Sequence, residues 1–243
     1  MQNAIFALSG SISVNTVAAP TVFSNALTLP EGIVASGGSR HETDVIALYE
    51  FKTGSGSIAL DSSGVTPELN LTLSGNVEWV GGYGIDIISG KAQGPTSTSN
   101  KLYQRITNTG EYSIEAWVAP ANVVQEGPAR IVSYSAGTAA RNFTLGQTQY
   151  NYEFLQRSST TDANGEAALS TADADEDLQA TLQHVVVTFD PLNGRRIYVN
   201  GVFTDDLDPV PAGNLNDWDD SFAFVLGNEV SNDRLWQGTI RMV

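Results

Sequence analysis

The chain has 243 residues, 12 basic and 27 acidic side chains, and a formal charge of -15 at pH 7. With no cysteine it has no disulfide scaffold, thiolate nucleophile, Cys-ligated zinc or iron–sulfur cluster. Its two histidines, His41 and His184, leave little for a His-rich metal site or a Ser-His-Asp triad. The acidic balance argues against nucleic-acid binding, which needs clustered Lys and Arg to neutralise phosphate. No run approaches the roughly 18 apolar residues that span a bilayer.

Residues 1–40 are rich in Ser, Thr, Ala and Gly and carry only Glu31 and Arg40 as charges. That is linker chemistry, and it predicts a linker or the remnant of an upstream domain. Val17-Ala18-Ala19 has the form of a cleavage site, but no Lys or Arg precedes it, so the positive region of a secretory signal is missing. Residues 41–243 then form one domain.

Strand signals recur at short spacing from residue 45. Val45 to Phe51 is β-rich and ends at Gly54-Ser55-Gly56. Leu69 to Ser74 alternates with period 2, as a half-buried strand does. Ser113 to Val118 follows and stops at Pro120; Ala129 to Tyr134, Asn142 to Gln147 and Tyr150 to Gln156 come next. Gln183 to Phe189 is almost continuously apolar, which predicts a central strand covered on both faces. Asn200-Gly201 between Arg196–Val199 and Val202–Thr204 is the preferred pair for a type I′ hairpin turn. No segment shows a sustained 3.6 period, and at most a short helical turn fits 175–182. Many short strands with turn signals predict an all-β sandwich or barrel.

Several of these segments carry a family resemblance. Ala47-Leu48-Tyr49-Glu50-Phe51 with Asp61-Ser62-Ser63-Gly64 resembles the opening of laminin G-like domains of the concanavalin A-like superfamily. Tyr112 to Pro120, His184 to Asp190, Arg196 to Gly201 and Trp236-Gln237-Gly238-Thr239-Ile240 are similar to its later strand motifs, in the right order. Gly127 to Val132, Arg141 to Gln147 and Gly227-Asn228-Glu229 further resemble a bacterial subgroup found in large secreted or envelope multidomain proteins. The resemblance implies a two-sheet antiparallel β-sandwich, a jelly roll of concanavalin A-like type. It implies carbohydrate binding on the concave face or rim loops, a calcium ion in some members, and an extracellular or cell-surface setting within a larger multidomain chain. In two respects the chain departs from the pattern: Arg241 stands where an aspartate often follows Gly-x-Ile, and the sequence stops at Val243, which predicts an incomplete strand with an unpaired edge.

Glycan-cleaving relatives place paired carboxylates on one strand as Glu-x-Asp-x-x-Glu; no strand here has that pattern, and Glu115 and Glu153 stand alone. The sequence therefore points to a non-catalytic recognition module for a glycan or a protein partner, with a structural or adhesive spacer as the alternative and glycan cleavage as the weakest. His184 reads as a structural histidine bonded to a neighbouring strand. Arg130 and Arg141 read as structural, with Glu115 and Glu229 as available partners and an anionic-sugar role as the alternative.

Sugar recognition combines an aromatic platform with planar polar groups. The candidates are Trp218, Tyr150, Tyr152, Gln147, Gln156 and Arg157. Trp218 is expected to be partly exposed in an acidic loop, whereas Trp79, Trp117 and Trp236 read as core. Tyr150 and Tyr152 share one strand face, and either that face or its opposite suits the concavity. For calcium, which needs six to eight oxygens, the candidates are Asp61 in its turn and Asn216, Asp217 and Asp219. Acidic clusters at 173–177 and 205–208 read as solvated loops.

Overall fold

A computed structural model describes residues 43–172, 174, 177–208 and 212–243. The linker expected at 1–40 lies outside them, as do Asp173, Asp175 and Glu176 of the first acidic cluster. Contacts divide the chain into Met1–Asp44 and Val45–Val243; the strands and the helix described all belong to the second unit.

Its elements, in chain order, are β1 (Ile58–Ala59), β2 (Leu71–Trp79), β3 (Ile85–Gln93), α1 (Thr96–Thr109), β4 (Tyr112–Pro120), β5 (Ala129–Gly137), β6 (Ala140–Thr148), β7 (Asn151–Gln156), β8 (Leu169–Ser170), β9 (Gln183–Asp190), β10 (Gly194–Val199), β11 (Val202–Phe203), β12 (Ala223–Leu226) and β13 (Gly238–Met242). Every pairing among the described residues is antiparallel; the main ladder runs β11-β10-β9-β4-β13-β3-β12-β5-β6-β7-β8, and off this path β2 pairs with β3 and with β1. β3 is the fold line: its first residues pair with β13 and its last with β12. The ladder thus doubles back into two layers. Tyr112 of β4 lies 5.6 Å from Phe143 of β6 and 6.3 Å from Phe154 of β7, ring to ring. This is the expected sandwich, with alternating inward residues filling the space between the sheets.

Alternation places the side chains. In β4 the residues Tyr112, Ile114, Ala116 and Val118 are buried, while Ser113, Glu115 and Trp117 face outward. β9 alternates the same way, with Val185, Val187 and Phe189 inward and His184, Val186 and Thr188 half-buried outside. It is central, as expected, but only one of its faces is fully covered. The Asn200-Gly201 turn has φ of 52° and 80°, the left-handed pair that type I′ requires.

Three expectations are corrected. A 14-residue helix, α1, occupies Thr96–Thr109. Its buried side includes Ser99 and Lys101 beside Leu102 and Ile106, so polar residues hold core positions and mask the period. Second, β13 is not an edge strand: it lies between β4 and β3, and Val243 exchanges backbone hydrogen bonds with Tyr49. Third, Asp208 is not simply solvated. It forms a buried ion pair with Arg195, 2.8 Å from Nη2, and Arg195 also donates to the Phe154 carbonyl of the facing sheet.

Candidate functional site

The ligand set expected from the sequence does not assemble. Trp218 is only 5% exposed; its ring packs on Tyr112, Phe143 and Tyr134, and its Nε1 donates to the Arg157 carbonyl at 2.7 Å. It is a core residue because the chain turns its indole inward to join the aromatic cluster, leaving Asp217 and Asp220 outside. Tyr152 faces the core and donates to Gln183 Oε1 at 2.9 Å. Burial pushes its phenol pKa well up. Gln156 accepts from Tyr112 at 2.7 Å. Gln147 is fully buried and accepts from Trp236 Nε1 and Gln125 Nε2 while donating to the carbonyls of Asn122 and Gln149. Tyr150 and Arg157 are half-buried, with Tyr150 lying just before β7.

The expected calcium donors are spread apart or already used. Asp61 is buried. Its Oδ1 accepts from the Leu48 and Ser63 amides, its Oδ2 from the Leu69 amide and Lys101 Nζ. Burial alone would raise its carboxyl pKa, but the bonds from Lys101, Ser63 and the Leu69 backbone outweigh it and hold the pKa below the ordinary value. Asp219 Oδ1 accepts from the Ser221 amide and hydroxyl, and Asn216 and Asp217 are exposed. Among the described residues no three acidic or histidine side chains gather as a metal site.

What does assemble is an aromatic shelf on the outer face of the sheet that contains β4, β9 and β10. Register pairs Trp117 with His184 and Glu115 with Val186, and Val186 in turn with Tyr198. The Trp117 and His184 rings stack with centroids 4.6 Å apart and planes 22° from parallel. Trp117 Nε1 donates to Glu115 Oε1 at 3.2 Å. His184 Nε2 lies 3.0 Å from the same oxygen. The side chains of His184 and Glu115 are 25% and 38% exposed. Beyond them Tyr198 contacts Phe203 of β11 at 5.4 Å, and the Arg196 guanidinium carbon lies 6.0 Å from the Phe203 ring centroid.

A solvent-side strand face is usually polar; this one carries Trp117, His184, Val186, Tyr198 and Phe203, all half-buried. Sequence reasoning assigned Trp117 to the core. The signal against that was present: Trp117 is two residues from Glu115, so both point to one face, while Ile114, Ala116 and Val118 point to the other.

The outer face of β5, β6 and β7 is different in kind. It is polar and covered. Arg130 Nε pairs with Glu229 Oε2 at 3.1 Å, as the sequence allowed. Gly227, at φ 82° and packed against Ile87 where any Cβ would collide, turns the chain so that Glu229 reaches this face. Arg141 has no carboxylate within ion-pair distance among the described residues; it donates to the oxygens of Thr138, Asn164 and Thr144.

A family model described as Concanavalin A-like lectin/glucanases superfamily, Laminin_G_3, matches residues 90–243, and the chain belongs to that family. No curated protein matches it in sequence. Among solved structures, the binding domain of botulinum neurotoxin DC in complex with rat synaptotagmin II is similar at 17% identity and a TM-score of 0.56, covering 81% of this chain and 47% of that one. The same binding domain in complex with SialylT is similar at 16% identity and 0.56, covering 81% and 46%. A structure concerning the interaction of botulinum neurotoxin type C with two ganglioside molecules is similar at 15% identity and 0.55, covering 81% and 47%. The chain thus spans about half the length of each. At these identities the likeness is one of fold.

Proposed function

We propose that this chain is a non-catalytic recognition module of a secreted or cell-surface protein, and that it binds carbohydrate across the outer face of β4 and β9. One observation carries this reading. The Trp117 ring is held by stacking on His184 and by its bond to Glu115, so its plane is fixed before a ligand arrives. Fixing it beforehand lowers the ordering cost of binding. Apolar C–H faces of a sugar stack on such rings, while carboxylates, amides and guanidinium groups bond its hydroxyls. Glu115, Asn200 and Arg196 stand on or beside the same strands.

The fold relatives support a binding role in general: the neurotoxin binding domains include complexes with rat synaptotagmin II and with SialylT. Charged groups set among the rings, Glu115 beside Trp117 and Arg196 beside Phe203, favour the sugar over a protein partner. Asp61 has no oxygen to spare, so calcium is not part of this reading. Glycan-array binding of the full chain beside Trp117→Ala tests it. Selective binding lost in the variant supports the proposal; binding equal in both, or none in either, overturns it.

A further inference from the structure

The covered polar face of the second sheet holds an imbalance of charge that the shelf does not explain. Lys91, Arg130 and Arg141 are all buried there. Only one of their neighbouring carboxylates, that of Glu229, is equally buried, and it is fully engaged. Its Oε2 takes Arg130 Nε, and its Oε1 takes the Ser135 hydroxyl and the Val230 amide. Among the described residues Lys91 Nζ donates to carbonyls, those of Val230 at 2.7 Å and Glu229 at 3.5 Å. Arg141 is 1% exposed and its Nε has no hydrogen-bond partner among the described residues. Its strongest contacts are to neutral oxygens, the Thr138 carbonyl and the Asn164 side-chain amide.

A buried cation ordinarily needs a paired anion, because desolvation costs several kcal/mol per ion. A guanidinium offers five donors in a flat fork suited to carboxylate or sulfate oxygens. Burial, then the nearby Arg130, lowers the Arg141 pKa to about 10 against the opposing, longer-range charges of Glu229 and Glu166, which leaves it charged at neutral pH. The group standing over it, Asn164, sits on a small turn tied by Asp162 Oδ1 to the amides of Asn164 and Glu166 at 2.8 and 3.0 Å. Asp162, Ala163 and Glu166 are exposed and Asn164 is half-buried, while the turn's backbone is anchored: the Ala163 carbonyl accepts from the Arg141 amide at 3.1 Å and Gly165 is buried against the Gln156 backbone.

We propose that Arg141 binds an oxyanion, a carboxylate or sulfate group, which takes the place of the Asn164 amide oxygen when that half-buried side chain rotates outward and the turn's backbone stays bonded to β6. This is a second site, on the sheet opposite the shelf. The oxyanion has two possible sources, an acidic saccharide or a free inorganic anion, and both make the same bonds to the fork.

The test is calorimetric titration of the full chain with sodium sulfate, glucuronate and a sulfated disaccharide, at ionic strength matched with sodium chloride. Arg141→Gln and Asn164→Ala are run beside it. Binding by the unaltered chain, at least about tenfold weaker in Arg141→Gln, is expected for a charge-assisted bond. Binding of the saccharides assigns a glycan ligand; binding of sulfate alone assigns a free anion. Should Arg141→Gln fail to fold, Asn164→Ala decides. With the competing oxygen gone, the anion binds several-fold tighter. No binding of any of the three anions, or equal binding in all three proteins, overturns the proposal.

Discussion

His184 lies face to face with Trp117, and the two rings reach the same carboxylate oxygen, Glu115 Oε1. One acceptor thus fixes two aromatic side chains on adjacent strands. The fold supplies the geometry: β4 and β9 are antiparallel neighbours in which Trp117 and His184 are directly opposed. Their rings therefore meet without any loop to hold them.

If Glu115 acts by orienting Trp117, its variants should separate geometry from charge. Glu115→Gln keeps an acceptor oxygen and should retain most glycan affinity. Glu115→Ala releases the indole and should lose about tenfold, the cost of roughly one such bond. The partly exposed Glu115–His184 hydrogen bond is worth only about 1 kcal/mol of stability, so both variants should unfold near the wild-type midpoint. Titration calorimetry with urea unfolding checks the pair of outcomes; equal affinity in both variants would rule out an orienting role.

Trp218 belongs to the core, and its loss should act on stability rather than on binding. Trp218→Ala should cost about 3–5 kcal/mol, seen as a lower urea midpoint. The glycan affinity of the protein that still folds should be unchanged. A loss of affinity with an unchanged midpoint would return Trp218 to the ligand site.

Glu229 compensates a buried guanidinium. Glu229→Gln leaves Arg130 without its anion and should destabilise by about 3–5 kcal/mol. Equilibrium unfolding in urea measures this, and a change below about 1 kcal/mol would show that water or a mobile side chain replaces the carboxylate.

Glu153 gives a pH signature. Burial pushes its carboxyl pKa above the ordinary 4.5, against the opposing influence of the nearby Thr148 and Ser170 hydroxyls. The folded state therefore holds this proton more tightly than the unfolded chain does. Its contribution to stability is fully present below the ordinary value and is lost as pH rises through the raised one. Glu153→Gln removes the burden of ionisation, so it should raise the melting temperature at pH 7 and match wild type near pH 4. A variant less stable than wild type at pH 7 would contradict this sign.

Calcium should leave the melting temperature unchanged, since Asp61 spends its oxygens on Lys101 and three backbone amides. A rise reversed by a chelator, and abolished in Asp61→Asn or Asp217→Asn, would contradict the assignment. Mass action makes such a rise easy to see, about 2.7 kcal/mol at a hundredfold excess over the dissociation constant.

The frame of the fold was readable because its strands obey period 2. The Asn200-Gly201 hairpin, β4 and β9 follow directly from alternation and turn chemistry. The helix was hidden because Ser99 and Lys101 fill positions where an apolar stripe is expected. Ser99 bonds the Pro95 carbonyl and the Phe224 amide, and Lys101 meets Asp61; neither long-range partnership leaves a local trace. The same holds for Gln147, whose amide is consumed by Trp236 and Gln125, so a residue suited to sugar hydroxyls turns out to brace the interior. Asn142 of the Asn-Phe-Thr sequon is likewise fully buried, with its amide on the Asp219 carbonyl. The shelf was half legible. Alternation puts Trp117 and Glu115 on one face, but the partner His184 arrives from a strand almost seventy positions on.

The most direct measurement is the shift of the indole N–H resonances of the four tryptophans in ¹⁵N-labelled protein titrated with a panel of methyl glycosides. Trp117 should move with at least one sugar and saturate, while buried Trp236 and Trp218 stay fixed. Saturable shifts confined to the other tryptophans, or no shift with any sugar, would contradict a carbohydrate site on the outer face of β4 and β9.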